Sequence, residues 1–330
     1  MTTILVTGGA GYIGSHACKA LAKAGFTPVV YDNLVRGNDW AVKWGPLEIG
    51  DIADRARLDA VIAEYKPAAT IHFAGYAYVG ESVADPGKYY RNNVHGALNL
   101  LEALCDHRRG PIVFSSTCAT YGVPETTPIL ESFPQVPINP YGRGKLIVEK
   151  MLSDFERAHA QRFAILRYFN AAGADADGEI GEDHAPETRL IPLAIRATLG
   201  AGPALSIFGD DYQTPDGTCV RDYVHVSDLA RAHVAAVGDL LNGGSSFAVN
   251  LGTGRGQSVF EVVNAVSKVA GKDVPYVVSP RRPGDPAVLV ADVAAAKARL
   301  GFEADYRDIE AIVETAWDWH ATRRPKITTG

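Results

Sequence analysis

Short apolar runs rich in β-branched residues alternate with amphipathic stretches along the first half of the chain. The runs are "TILVTG", "PVVYD", "LEIGD", "ATIHFAG", "PIVFSST" and "FAILRYFN", and each has the length of a buried strand. Helical patterns lie between them, over about residues 12–24, 55–64 and 86–107 and again after Pro140. Strands that alternate with helices pair in parallel and are covered on both faces. The pattern therefore predicts an α/β fold with a doubly wound parallel sheet.

The alternation loosens after Asn170, where "AAGADADGEIGEDH" forms a polar, glycine-rich loop. We expect its acidic residues to form a solvated surface. Shorter units with more proline follow, including "SPRRPGDPA", and they predict a smaller C-terminal α/β domain. We therefore divide the chain into residues 1–170 and 171–330. The stretch "VRDYVHVSDLARAHVAA" has the pattern of a strand and a helix near residues 220–240 that can return to the first domain.

Composition narrows the class of protein. The chain has 330 residues, of which 47% are hydrophobic, and a formal net charge of −6, which argues against nucleic acid or an anionic membrane as partner. We expect no signal peptide and no membrane span, because no apolar run is long enough. Cysteines and histidines form neither CxxC nor HExxH patterns, so we expect no metal, and we expect a cytoplasmic location.

A glycine-rich turn follows the first strand in "TGGAGYIGSH". Gly9, Gly11 and Gly14 satisfy GxGxxG, and Gly8, Gly11 and Gly14 satisfy the related GxxGxxG. Glycines at these positions allow a tight turn and a close approach of the backbone to a pyrophosphate, which the helix N-terminus attracts. The strand–turn–helix context favours a Rossmann-type dinucleotide site over an ordinary turn.

Asp32 ends the second strand, 18 residues after Gly14. A carboxylate at this place accepts hydrogen bonds from both ribose hydroxyls of an adenosine and repels a 2′-phosphate. The sequence therefore predicts NAD rather than NADP as cofactor.

The stretch "NPYGRGK" places Tyr141 and Lys145 one helical turn apart, after a proline that marks a helix start. A free tyrosine has a pKa of about 10, so a general base made from it needs a nearby positive charge. The Lys145 ammonium at about 5 Å supplies about 3 kcal/mol at an effective dielectric constant of about 20. Thr117, at the end of the fifth strand, can bind the same substrate oxygen. We therefore predict alcohol oxidation coupled to hydride transfer, with Tyr141 as base.

The chain resembles the extended short-chain dehydrogenase/reductase family over nearly its whole length. GxGxxG and YxxxK identify the superfamily, and "LRYFNAAG", "IFGDDYQTPDGT", "VRDYVHVSDLA", "NLGTG" and "RRPGD" are the more specific stretches. They point to members that interconvert UDP-glucose and UDP-galactose with tightly held NAD, as homodimers. The resemblance implies that Tyr141 takes the proton of the sugar 4-OH while C4 gives hydride to the cofactor. The 4-keto sugar then turns about its phosphate link, so that hydride returns to the other face.

The resemblance also implies two sets of binding residues. The cofactor set comprises Gly8, Gly11, Tyr12, Ile13, Gly14, Asp32, Asn33, Asp51, Ile52, Phe73, Ala74, Gly75, Asn93, Ser115, Tyr141, Lys145 and Tyr168. The UDP-sugar set comprises Thr117, Tyr141, Asn170, Arg189, Leu190, Phe208, Arg221, Tyr223, Arg282, Asp285 and Leu289. Guanidinium groups at Arg221 and Arg282 suit a diphosphate.

The sequence departs from the family pattern at three places. Thr117 stands where serine is frequent, which keeps a hydroxyl. Ala77 stands where many members have lysine, which removes a cation near the cofactor. Arg189 replaces a common asparagine or histidine, so that contacts to uridine or phosphate can differ.

Other activities of the family remain as alternatives. A nucleotide-sugar dehydratase usually carries an Asp-Glu pair after the active-site threonine, whereas Cys118 and Ala119 stand there. A 4-epimerase for UDP-pentoses or UDP-N-acetylglucosamine stays open, and so does a non-catalytic NAD sensor. Leu289 falls where the family varies between tyrosine and smaller residues. We expect leucine there to permit weak turnover of UDP-N-acetylglucosamine.

Overall fold

The computed structural model describes residues 2–282 and 284–323. Its strands are β1 (Thr3–Thr7), β2 (Thr27–Asp32), β3 (Leu47–Ile49), β4 (Ala69–His72), β5 (Ile112–Thr117), β6 (Phe163–Tyr168), β7 (Asn170–Ala172), β8 (Leu205–Phe208), β9 (Val220–His225), β10 (Phe247–Leu251), β11 (Gly256–Ser258), β12 (Tyr276–Ser279) and β13 (Val288–Leu289).

The α-helices are α1 (Tyr12–Lys23), α2 (Arg55–Tyr65), α3 (Val79–Ala84), α4 (Pro86–Tyr89), α5 (Gly96–Asp106), α6 (Pro140–His159), α7 (Leu190–Thr198), α8 (Val226–Leu241), α9 (Val259–Ala270), α10 (Ala294–Leu300) and α11 (Ile309–Asp318). Two π-helical turns cover Tyr90–His95 and Trp319–Arg323, and short 3₁₀ turns cover Asp39–Ala41 and Cys118–Thr120.

The central sheet confirms the predicted doubly wound fold. Its seven strands run in the order β10-β6-β5-β4-β1-β2-β3, and every pair is parallel. Ile4 and Val6 of β1 pack on one face with α1 and α8, whereas Leu5 packs on the other face with α2, α5 and α6. This alternation follows from the two-residue period of a strand, and it explains why a sheet buried on both faces has nearly uninterrupted apolar strands.

The C-terminal part builds two smaller sheets. Strand β9 lies between β11 and β13 and also pairs with β7, whereas β12 pairs with β8. A separate core joins α7, α9 and α11 to these strands. Helix α8 returns to the first part of the chain and packs against α1, and β10 forms an edge of the central sheet. Strand β9, which precedes α8, stays in the smaller sheet. The division at residue 170 stays a prediction, because the chain crosses back into the central sheet after that point.

The helix expected over residues 86–107 is confirmed from Pro86 to Asp106, but it is not a regular α-helix throughout. The π-helical turn Tyr90–His95 in its middle carries Asn93. Such turns insert one residue into a helix and redirect its side chains, often at functional sites.

The acidic loop after Asn170 is also not a purely solvated surface. Asp175 is buried against the Lys19 ammonium at 2.7 Å, and the exposed Asp177 and Glu179 contact the same ammonium at 2.7 and 2.6 Å. Glu182 is buried as well, with Arg189 at 2.9 Å. Buried carboxylates are normally paired with cations. No local pattern around Asp175 or Glu182 indicated which cation would be the partner.

Four histidines are buried inside this framework. Burial lowers the pKa of His16 and His233 to about 4 and that of His72 and His225 to about 3. Their folded-state pKa lies below the unfolded value of about 6.5, so the stability that they contribute is present above that value and is lost as the pH falls towards the folded pKa.

We expect acid to weaken the fold through these rings. As the pH falls from about 7 to about 5, each ring lowers the free energy of unfolding by about 2 kcal/mol. The His72 ring is hydrogen-bonded to the Thr7 hydroxyl at 2.7 Å, and His72→Asn keeps a polar partner there. This variant should lose about 2 kcal/mol less unfolding free energy than wild type between these pH values, measured by urea unfolding. The matched control is His159→Asn at an exposed position of α6. An equal acid dependence in wild type and His72→Asn would contradict the assignment.

Candidate active site

The predicted site residues meet at the carboxyl edge of the central sheet. The glycine turn follows β1, Asp32 ends β2, the segment 73–75 follows β4, Thr117 ends β5 and Tyr168 ends β6. These five strands are neighbours in the sheet. The carboxyl edge of an open α/β sheet, where the strand order reverses, is the place where such folds bind ligands.

The glycine turn forms a cradle that side chains would fill. Gly8 has φ 74°, and a Cβ atom there would lie 2.5 Å from the Ala74 nitrogen. A Cβ atom on Gly14 would press into the Gly8 carbonyl oxygen, well inside the 3.0 Å that real Cβ contacts keep. Helix α1 then begins at Tyr12 without a side-chain cap, so its first amides are available to an anion.

The adenosine end of the site has an ordered carboxylate. Asp32 accepts hydrogen bonds from the backbone nitrogens of Ala10 at 3.1 Å and Leu34 at 2.9 Å. Burial raises its pKa and these two donors oppose the rise. Asn33 donates to Asp51 at 2.8 Å, beside the buried Ile52. The cradle and the carboxylate together fit NAD.

The residues predicted to border the nicotinamide lie near the ends of β4, β5 and β6. Asn93 accepts from the Tyr76 nitrogen and donates to the Tyr76 oxygen, both at 2.9 Å. The hydroxyls of Ser115 and Tyr168 are hydrogen-bonded to each other. The Phe73 ring packs on His233 at 4.6 Å, and the Phe73 nitrogen donates to Thr7.

The Tyr–Lys pair lies at the start of α6. The Asn139 side chain caps the helix by accepting from the Gly142 nitrogen at 2.8 Å, and Pro140 occupies the first turn. The Lys145 ammonium donates to the Ser115 carbonyl at 2.7 Å, which ties the helix to the end of β5. Burial lowers the pKa of Lys145 to about 8, although Glu149 opposes the shift.

The protein on its own keeps Tyr141 protonated. Burial raises the pKa of Tyr141 to about 12, against a hydrogen-bond contribution from Thr117 and the charge of Arg189, which both lower it. The Thr117 hydroxyl is buried and also accepts from the Ala119 nitrogen at 3.1 Å. Thr117 therefore caps the backbone and also faces the tyrosine.

Sequence reasoning missed a buried ion pair behind these groups. Glu149, on α6, contacts Arg167 of β6 at 2.7 Å, and both side chains are less than 10% exposed. Ser116 and Gln135 donate to the same carboxylate. The sequence held two signs of this pair. Glu149 lies four residues after Lys145, on the same face of the helix, and Arg167 interrupts an apolar strand.

Seven of the predicted sugar-binding residues fall into two groups on or beside the small sheets. The first belongs to the β9 sheet, where Arg221 pairs with Asp285 at 2.5 Å, and Asn170 and Leu289 stand opposite Tyr223 and Arg221 in the strand register. The second lies on the β8–β12 pair, where the Arg282 guanidinium covers the Phe208 ring at 3.9 Å.

Leu289 lies close to the reacting end of the sheet. It is buried in a cluster with Cys118 and Phe169, which directly follow Thr117 and Tyr168 in the chain. This position is compatible with a side chain that limits the space beside the sugar.

Comparison with known proteins places the chain in a family. The profile described as the NAD dependent epimerase/dehydratase family matches residues 4–252. The chain belongs to the NAD-dependent epimerase/dehydratase family.

Relatives within this family are similar over nearly the full length. The UDP-glucose 4-epimerase of Rhizobium leguminosarum bv. trifolii is 55% identical over 319 residues, which cover 97% of each chain. The crystal structure of UDP-glucose 4-epimerase from Brucella ovis in complex with NAD has a TM-score of 0.94 at 55% identity and covers 96% of this chain and 98% of its own. An epimerase from Stenotrophomonas maltophila with bound NAD and formylated UDP-arabinopyranose has a TM-score of 0.93 at 40% identity, covering 97% and 98%. The predicted family, fold class and NAD dependence are thereby confirmed.

One departure from the family pattern has a structural context. Arg189 occupies the N-cap position of α7, with Leu190 as the first helical residue. Its guanidinium lies over the Tyr12 ring at 5.7 Å and donates to the Ala171 carbonyl at 3.3 Å. The buried Glu182 balances its charge. In this member of the NAD-dependent epimerase/dehydratase family, the position thus carries a paired cation.

Among the described residues, none of the helices has the length and apolar character that crossing a bilayer requires.

The glycine cradle generates a direct prediction. Gly14→Ala should reduce NAD affinity at least about tenfold, because the added methyl group displaces the Gly8 carbonyl and opens the turn. Gly80→Ala is the matched control, since a Cβ atom at Gly80, in α3, meets open space. NAD binding is measured by titration of cofactor-stripped protein whose circular dichroism matches wild type. Wild-type affinity in a folded Gly14→Ala variant would show that the turn does not hold the cofactor.

Proposed function

We propose that this protein interconverts UDP-glucose and UDP-galactose by reversible oxidation and reduction at C4 of the sugar, with tightly bound NAD. One observation carries the proposal. Helix α6 brings Tyr141 and Lys145 to the end of β5, where Lys145 contacts Ser115 and Tyr141 faces Thr117. That end of the sheet adjoins the glycine cradle. The relatives named UDP-glucose 4-epimerase give the substrate class.

The cofactor residues have distinct parts in this proposal. The amides of Gly11–Gly14 hold the pyrophosphate, Asp32 and Asn33 hold the adenosine, and Asn93 and Tyr168 border the nicotinamide. Bound in this place, oxidised NAD supplies a hydride acceptor for C4 and a positive charge beside Tyr141. All other steps belong to side chains of the protein and to the substrate.

Tyr141 moves the proton of the 4-OH. With a pKa of about 12, a phenol is ionised in only about one molecule in 100,000 at neutral pH, and lowering its pKa to about 7 takes about 7 kcal/mol. An ammonium group about 5 Å away contributes about 3 kcal/mol in a medium of dielectric constant about 20, and we assign this support to Lys145. The charge of the oxidised cofactor supplies much of the remainder. Tyr141 is therefore basic only when the cofactor is ready to accept hydride.

The second domain holds the nucleotide. Arg221 and Arg282 bind the diphosphate, and the other residues of the UDP-sugar set surround the uridine and the sugar. The anchors lie on or beside the small sheets, whereas Thr117 ends β5 of the central sheet and Tyr141 lies in the first turn of α6. This separation supports a mechanism in which the UDP part stays fixed while the 4-keto sugar turns and presents its other face.

Other reactions fit less well. Cys118 and Ala119, in the 3₁₀ turn after Thr117, offer no carboxylate that could move the C5 proton of a dehydration. A wider range of UDP-sugars is the second candidate, and the specific observation in its favour is Leu289 beside Cys118.

We also propose a cytoplasmic homodimer. Four free thiols, at Cys18, Cys105, Cys118 and Cys219, support a reducing compartment. The dimer rests on the family resemblance, and a sedimentation mass of one 35.2 kDa chain would exclude it.

The proton-transfer role predicts the effect of removing the phenol. Tyr141→Phe should lower kcat at least about 1000-fold while UDP binding by calorimetry stays within severalfold. Lys145→Met should lower kcat and move the acid limb of the kcat profile to higher pH, because loss of a nearby positive charge raises the pKa of Tyr141. Tyr65→Phe is the control, since Tyr65 donates to Glu48 at the end of α2, away from the site. Near-normal turnover in Tyr141→Phe would refute the role.

Leu289 predicts the substrate range. Wild type should turn over UDP-N-acetylglucosamine with a kcat/KM below that for UDP-glucose. Leu289→Tyr should lower the ratio of these two constants by at least about tenfold, because overpacking a closed pocket costs about 1–3 kcal/mol. The volume-conserving control Leu289→Met should leave the ratio nearly unchanged. A ratio that is the same in Leu289→Tyr and wild type would show that Leu289 does not limit the pocket.

A further inference from the structure

An irregular segment between β7 and α7 lies across the dinucleotide edge of the sheet. We call residues 182–189 the strap. Three side chains of the first domain donate to its backbone carbonyls: Arg36 to Ala185 at 2.5 Å, Tyr78 to Pro186 at 3.0 Å and Asn38 to Asp183 at 3.5 Å. Ala185 and Pro186 are exposed, so the middle of the strap has solvent on its outer side.

The partners of the strap define what lies beneath it. Arg36 follows Asp32 and β2, and Tyr78 follows Gly75 and β4. The His184 ring lies edge-on to Tyr12, the first residue of α1, at 6.2 Å, and to Tyr78 at 6.1 Å. Strands β2, β1 and β4 are adjacent, so the strap bridges the edge from the Asp32 side to the Gly75 side, over the start of α1.

The two ends of the strap are joined at its base. The buried Glu182 side chain contacts Arg189 at 2.9 Å and His184 at 2.9 Å, and its backbone oxygen accepts from the Trp319 indole at 3.0 Å. The strap is therefore a loop with a fixed base, and its outer part is held down by Arg36 and Tyr78. The Arg36 guanidinium also lies over the Tyr78 ring at 4.9 Å, so that the two anchors support each other.

We propose that the strap retains the dinucleotide, and that Arg36 and Tyr78 are positioning residues that keep it closed. A molecule lying on the glycine cradle between Asp32 and Gly75 leaves only after the bonds to Ala185 and Pro186 open. The strap thus supplies the retention that Ala77, in place of a lysine, does not. The proposal rests on NAD binding at the cradle and needs no particular sugar substrate.

A purely structural clamp between the two parts of the chain predicts a different result. Loss of an anchor in such a clamp lowers the unfolding temperature of cofactor-stripped protein and leaves cofactor exchange unchanged. Loss of an anchor in a retaining strap speeds the release of bound NAD, whatever its effect on unfolding.

The test measures exchange of bound NAD for excess labelled NAD in the purified holoprotein. Arg36→Met and Tyr78→Phe should each raise the exchange rate roughly tenfold, the effect of one lost hydrogen bond, and the double variant should raise it further. Lys43→Met is the matched control, because Lys43 donates to the Glu179 carbonyl at 2.8 Å and so anchors the same loop outside the strap. Its exchange rate should stay within about twofold of wild type.

Three outcomes would overturn the proposal: fast exchange in wild type, an unchanged rate in both single variants, or an equal acceleration by Lys43→Met. The unfolding temperature of each stripped variant separates a release effect from general destabilisation. If the variants show the expected exchange rates but wild type does not turn over UDP-glucose, the role of the strap is supported and the proposed reaction is refuted.

Discussion

The buried ion pair between Glu149 and Arg167 determines how helix α6 sits on the sheet. Tyr141, Lys145 and Glu149 follow one another at intervals of one turn, so they share a face of the helix. Because Glu149 is bound to the end of β6, that face cannot rotate away from the strand ends. Removing one partner of such a pair costs about 3–5 kcal/mol, since the other charge stays buried. The position of Lys145 on Ser115, and with it the arrangement of the proposed proton-transfer site, depends on this contact.

Burial shifts the pKa values of the two proposed catalytic side chains in opposite directions. The pKa of Tyr141 rises to about 12 and that of Lys145 falls to about 8, and both shifts favour the uncharged form. The protein therefore does not hold a ready phenolate. In the proposed mechanism, the site gains its basicity from the positive charge of what it binds, which links proton removal to the presence of oxidised cofactor.

Local patterns in the sequence predicted most of the fold and the centre of the site. The strand–helix alternation, the glycine turn, Asp32 and the helix start at Pro140 each follow from short-range rules of backbone conformation and burial. The Glu149–Arg167 pair, the buried Glu182 and the strap were not predicted. Each depends on a partner far away in the chain, and a polar residue has no local sign of whether its partner will be near. The π-helical turn at Asn93 was not predicted either, and Asn93 there contacts Tyr76 and lies against Gly75.

The late position of α8 and β10 in the chain has a consequence for synthesis. Residues 1–170 carry the glycine cradle and the Tyr–Lys pair, but helix Val226–Leu241, which packs against α1, comes later in the chain, and β6 remains an open edge until Phe247–Leu251 pairs with it. A growing chain therefore exposes an unpaired parallel edge until most of the molecule has left the ribosome. These non-local contacts make the cofactor domain a slow folder and make a fragment ending near residue 170 prone to aggregation. The two parts of the sequence are translated one after the other, but the first part completes its folding only together with the second.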